Sequence, residues 1–170
     1  GLITLTFQLT ASLLQPLVGH LTDKRPRPFA LVGGMAFTLA GLLVLAWAGS
    51  FNSLLMAVAL VGIGSSIFHP EASRMAYVAS GGKRALAQSV FQLGGNAGSA
   101  LGPLLAAAII VPFGQSKISW FSLLPLIAMV VLWRVGTWYL RMMALRTHRQ
   151  ARLPIVQRKP ISKKHVIGVV

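Results

Sequence analysis

The chain has no cysteine, and only two of its 170 residues, Asp23 and Glu71, are acidic. The first absence excludes disulfides, thiolate metal sites and thiol catalysis, and it leaves the redox compartment undetermined. The second narrows any proton-handling or ion-pairing role to two carboxylates and the His residues. Charge of either sign is scarce at 11%, against 55% hydrophobic residues, a balance too apolar for an ordinary soluble domain. The opening residues also lack a signal peptide's marks: no basic segment precedes the apolar run, and no small-residue cleavage site follows it.

What is present is a set of long apolar stretches. Four follow the opening segment, and all of the 16 Lys and Arg residues except Lys117 fall in or beside alternate gaps, at 24–27, 74–84 and from 134 onward. Hydrophobic spans with basic residues biased to one side are the pattern of a polytopic inner-membrane protein. The net charge of +14 raises the question of nucleic acid. These charges form no stripe on a soluble face, however, and sit where helices would leave a bilayer. No nucleic-acid partner is expected; attraction to the lipid bilayer, and to its anionic lipids, is.

A spanning helix needs roughly 20 mostly apolar residues. The sequence offers five such segments, at 1–19, 29–49, 54–76, 86–112 and 118–140. Between them lie basic (20–28), uncharged (50–53), basic (78–84) and singly charged (113–117) connections. Residues 141–165 hold eight Lys and Arg, Pro154 and Pro160 but no acid, and read as a basic cytoplasmic linker. Residues 166–170 look like the start of another apolar segment, and Gly1 already lies inside one. The expected reading is a piece of a longer membrane protein, with the Gly1 end periplasmic and the basic tail cytoplasmic. Trp120 and the pair Trp138 and Tyr139 stand at opposite ends of the fifth span, as interfacial aromatics do.

Chemistry-bearing residues are few. Gly19, Asp23, Lys24 and Arg27 belong to the stretch Gly-His-Leu-Thr-Asp-Lys-Arg-Pro-Arg, which resembles the G-x-L-x-D-[RK]-x-x-R signature of the major facilitator superfamily. A tight turn there would use the small Gly19, and an acid at the membrane face can accept charged hydrogen bonds from neighbouring helices. The resemblance implies a gate latch on the cytoplasmic side. Pro26 and Pro28 depart from the family pattern. The plainer reading is a positive-inside anchor with an incidental Asp.

The fourth span carries Gly98, Gly102 and Pro103 in Gly-Ser-Ala-Leu-Gly-Pro, similar to the antiporter motif of drug-exporting members of that superfamily, with Ala106 and Ala107 in place of its last glycines. Small residues four apart let helix backbones approach closely, and Pro103 can bend the span. Generic helix packing would use the same residues. Polar side chains recur along single faces: Thr4, Gln8 and Gln15 in the first span, and Gln88, Gln92, Asn96 and Ser99 in the fourth. Amides are costly in hydrocarbon unless paired or wetted, so each face should meet another helix or an aqueous cavity.

In the third span His69, Glu71 and Arg74 surround Pro70. An ionisable group at membrane depth is a functional candidate. A cation one turn away favours the ionised carboxylate, which points to a Glu71–Arg74 pair or a network with Asp23 more than to a proton carrier. His changes charge within the physiological range, but a lone His makes no metal site. Neither metal nor cofactor is expected.

The opening Gly-Leu-Ile-Thr-Leu-Thr-Phe-Gln, the Phe-His-Pro-Glu core within 65–74, and Gly-Gly-Asn-Ala-Gly at 94–98 resemble the fosmidomycin-resistance efflux proteins of the same superfamily. The resemblance implies an all-α membrane fold, here helices 2 to 6 of an N-terminal half with the central loop and the start of another helix. It also implies a proton-coupled antiporter exporting fosmidomycin and other drugs. Such a transporter would be completed by helix 1 and a C-terminal half that this chain lacks. Two rivals remain. A non-transporting membrane fragment is one, since alternating access needs two repeats around a central site. An intramembrane hydrolase using Ser65 or Ser66 with His69 is the other. No Gly-x-Ser-Gly signature supports it.

Overall fold

A computed structural model describes residues 1–24 and 27–152, and every regular element among them is helical. In order these are α1 (Leu2–Lys24), α2 (Ala30–Ala46), α3 (Phe51–Ala79), α4 (Arg84–Phe113), a 3-10 turn (Gln115–Lys117), α5 (Ile118–Phe121) and α6 (Leu123–Arg152). Four stretches are long and apolar enough to cross a membrane, with mean hydropathy from 1.3 to 1.9. The all-helical expectation therefore holds. The chain divides into two compact units, Gly1–Thr137 and Trp138–Val170; the described part of the second is the C-terminal portion of α6.

The first unit is organised around α3, which packs against both α1 and α2. Two glycines make that possible. Gly62 and Gly64 lie two residues apart, so about 200° of helical rotation sends them to different neighbours. A Cβ on Gly62 would run into the Thr10 side chain and stand 3.1 Å from the Phe7 carbonyl, both on α1. A Cβ on Gly64 would stand 2.6 Å from the Gly34 carbonyl and 2.9 Å from the Thr38 nitrogen, both on α2. On α2, Gly41 is equally closed, 2.8 Å from the Ala57 carbonyl. Such backbone approach lets van der Waals packing hold helices together where no hydrophobic drive separates helix from lipid.

Hydroxyls in these helices are spent locally. Thr10 donates to the carbonyls of Thr6 and Phe7, Thr22 to Val18 and Gly19, and Thr38 to Gly34. This back-bonding hides the polar atom without a partner helix. At the start of α3 a reciprocal cap forms, with Ser53 N donating to Ser50 Oγ and Ser50 N to Ser53 Oγ.

Three boundaries differ from expectation. The first helix does not end at Gly19 but runs through Lys24, with Pro16 carried inside it. The second is short: 17 residues make about 25 Å, below the roughly 30 Å hydrocarbon core. Its end at Ala46 leaves carbonyls that the Gln115 side-chain amide collects, donating to Leu45 at 2.8 Å and Ala48 at 3.1 Å. The fifth span is broken at Ser122, four residues after the start of α5 at Ile118. Pro125, lacking an N–H, cannot continue the ladder back to Phe121 and instead takes a first-turn place in α6. Helix α6 then continues to Arg152, so the linker expected from 141 begins as helix; Met, Leu, Ala and Arg there are good helix formers. Pro154, Pro160 and the segment 166–170 lie outside the described residues.

Candidate functional site

Helix α3 buries Glu71 in its C-terminal third. Its side chain is 1% exposed, and Oε2 accepts from Arg74 Nη2 at 2.5 Å, across one turn of the same helix. The other carboxylate oxygen, Oε1, has no hydrogen-bond partner among the described residues. Arg74 is 21% exposed. The arrangement is thus a buried acid held by a cation that reaches toward the surface. Burying an ion pair costs several kcal/mol of hydration per charge, which geometry of this quality and added hydrogen bonds must offset.

The neighbouring His69 is exposed, and its ring meets that of Phe68 edge-on at 6.1 Å. Ser66 is fully buried, and its hydroxyl donates to the Ile63 carbonyl at 2.7 Å. Among the described residues neither Ser65 nor Ser66 hydrogen-bonds His69, so the nucleophile–base geometry that a hydrolase needs is not formed.

The motif around Asp23 is resolved in part. Gly19, Asp23 and Lys24 belong to α1, which corrects the expectation of a loop beginning at Gly19: the glycine sits within helix, and a Cβ there would meet nothing within 4 Å. Arg27 is exposed in the connection to α2. Arg25 and Pro26 lie outside the described residues. On the amide face of α1, Thr4 and Gln8 are exposed, whereas Ala11 is buried and Gln15 half-buried, so the row leaves the α3 contact toward its N-terminal end.

Helix α4 differs from the others in that none of its 30 residues is buried. It is tied to α3 by hydrogen bonds from Gln88 Nε2, which donates to the Ser73 carbonyl at 3.1 Å and to Ser73 Oγ at 3.0 Å, and by Arg84, which packs over the Tyr77 ring. Gln88 thus fulfils the interhelical reading of its amide. Gln92 and Asn96, with Leu93, line an open depression continuing from it. Gly94, Gly95, Gly98 and Gly102 would each accept a Cβ with no atom within 4 Å, so the antiporter-like stripe, unlike Gly34, Gly41, Gly62 and Gly64, closes on nothing among the described residues. Pro103 lies inside α4, exposed.

Two roles emerge from the packing, that of Gly62 and Gly64 at separate helix contacts and that of Gln115 as a cap. A glycine pair two apart in an apolar helix was a signal for the first. Nothing in the sequence links Gln115 to Leu45 and Ala48, which are some 70 positions away.

Comparison with known proteins places this geometry in context. The family model described as Major Facilitator Superfamily matches residues 1–168. Over 139 residues the chain is 62% identical to the "Fosmidomycin resistance protein" of Escherichia coli (strain K12) and 49% identical to the "Uncharacterized MFS-type transporter YfnC" of Bacillus subtilis (strain 168). Each match covers 82% of this chain and 34% of the relative, so the chain spans about a third of the length of the curated relatives it matches. No solved structure matches it.

Proposed function

The chain belongs to the Major Facilitator Superfamily, and from that premise we propose that it forms part of a proton-coupled antiporter exporting fosmidomycin and related drugs across the bacterial inner membrane. It is a multi-pass membrane protein of a transporter family. The observation that carries the finer reading is the 62% identity to a protein named for fosmidomycin resistance.

In this reading the Gly1 end faces the periplasm and the basic tail the cytoplasm, in keeping with the Lys and Arg asymmetry. The compact α1–α2–α3 group acts as a rigid body. Helix α4 keeps its Gly98–Gly102–Pro103 surface and its Gln92–Asn96 amides for the rest of the transporter and for an aqueous path. Alternating access then consists of one such body rocking against another. Glu71, paired with Arg74, braces the cytoplasmic end of α3, and its unfilled Oε1 is available to a donor that arrives when the gate changes state. Asp23 serves the gate without touching drug: neighbouring cations clamp it in one state and release it in the other. The residue that carries the proton lies outside this chain.

The test is drug susceptibility. The complete gene, expressed in a bacterium lacking its own fosmidomycin pump, raises the inhibitory concentration several-fold, and Asp23→Asn lowers that protection while equilibrium drug binding stays within a few-fold of wild type. Full membrane expression with no change in susceptibility contradicts the substrate assignment.

A further inference from the structure

A cavity of about 260 Å³ lies at the C-terminal end of α1 and the N-terminal end of α2, with one wall from α3. Val18, Leu21, Gly33, Phe37 and Ile67 make it apolar, and Arg27 is the one charged residue in its lining among the described residues. Three features make it more than a packing defect. Gly33 leaves it hollow, since a Cβ there would meet nothing within 4 Å. It opens sideways: Leu21, Phe37 and Gly33 are all exposed at its rim. Its cation sits at one end, in a stretch whose sequence also supplies Lys24 and Arg25.

An apolar slot with an exposed rim and a cation at the helix ends matches a molecule that is apolar along its length and anionic at its head. We propose that this cavity is a binding site for an anionic phospholipid, its acyl chain lying between α1, α2 and α3 and its phosphate on Arg27. A second apolar cavity, near Leu42, Leu45 and Ile118, supplies the contrast: no charged residue lines it among the described residues, so it can take a chain but select no head group. The guanidinium holds phosphate oxygens, which every phospholipid offers, through two parallel N–H donors, and preference for an anionic head comes from net charge: the basic connection attracts a lipid that is negative overall and repels an ethanolamine ammonium. The inference rests on the multi-pass membrane character of the chain and is independent of what the transporter carries.

Native mass spectrometry of the complete protein in detergent, titrated with phosphatidylglycerol or phosphatidylethanolamine of equal chain length, provides the test. Phosphatidylglycerol adducts exceed phosphatidylethanolamine adducts for the wild type. Arg27→Gln lowers phosphatidylglycerol affinity about fivefold, while Arg84→Gln, a basic residue outside the cavity that packs over the Tyr77 ring, leaves it within twofold. Gly33→Leu, or Leu21→Trp if the first variant fails to fold, lowers it at least fivefold without changing charge. Equal losses for Arg27→Gln and Arg84→Gln would show diffuse attraction and overturn the site. So would unchanged binding in a folded cavity-filling variant, or full competition by glycerol phosphate lacking any acyl chain.

Discussion

Arg74 Nη2 donates to Glu71 Oε2 at 2.5 Å, and the two residues divide the environment between them: the acid is 1% exposed and the cation 21%. A pair so placed is costly to break from one side, because each charge loses a contact that helps offset its desolvation. Glu71→Gln should therefore destabilise the protein toward the lower end of about 3–5 kcal/mol, since the amide still accepts a hydrogen bond and Arg74 still reaches the surface. Yield and thermal stability in detergent are the readouts. Exposed His69, in ring contact with Phe68, is expected to be quiet: His69→Asn leaves the pH profile of transport unchanged. A Glu71→Gln protein of wild-type stability would remove the bracing role.

The glycines of this chain fall into two classes, and substitution should separate them. At Gly64 any side chain meets the Gly34 carbonyl at 2.6 Å, so Gly64→Leu must push α2 away from α3, at a cost beyond the about 1–3 kcal/mol of ordinary overpacking. At Gly98 the space is open, so Gly98→Leu leaves the folding of this helix group intact while impairing transport in the complete protein. Expression with gel-filtration homogeneity, set against drug export, checks both. Equal loss of folding in the two variants would contradict the distinction.

Much of this fold could be read in advance, because hydrophobic length is the dominant signal in a membrane chain. The helices built on 1–19, 54–76 and 86–112 appear where the apolar runs place them, and the Glu71–Arg74 pairing followed from their spacing of three. Boundaries were less legible. Apolarity does not reveal that Gly19 sits within helix, that α2 stops at Ala46, or that Pro125 divides the last span, since these depend on where backbone hydrogen bonds find partners. The amide rows were half legible: helical spacing showed that Gln88, Gln92 and Asn96 share a face, but only the packing shows that Gln88 is satisfied by Ser73 and that the other two face outward.

Gln115 offers a test of the short second helix. Its amide satisfies two carbonyls at the end of α2, and Gln115→Ala returns them to water. Because the site is exposed, the loss should be modest, about 0.5–1.5 kcal/mol. Hydrogen exchange of the Leu45–Ala48 backbone is not diagnostic for carbonyls, so the measurement is the midpoint of thermal unfolding in detergent. A Gln115→Ala midpoint equal to that of the wild type would show that water replaces the amide at no cost.

The proposed orientation rests on the basic connections. In a complete protein otherwise free of reactive cysteine, Asn52→Cys, in the turn before α3, should react with a membrane-impermeant maleimide in intact cells. Ser80→Cys, between α3 and α4, should react only after lysis. The opposite pattern would invert the topology.

The central claim is drug export driven by a proton gradient, and everted membrane vesicles containing the complete protein test it most directly. Imposing a pH gradient, acidic inside, should drive uptake of radiolabelled fosmidomycin, and collapsing it with a protonophore should release the accumulated drug. Folded Glu71→Gln protein should retain that response if, as proposed, the Glu71 carboxylate braces the helix and the proton travels elsewhere. Uptake that is indifferent to the gradient would contradict the antiport account, and a Glu71→Gln protein that binds drug but no longer responds would transfer the proton's path to Glu71.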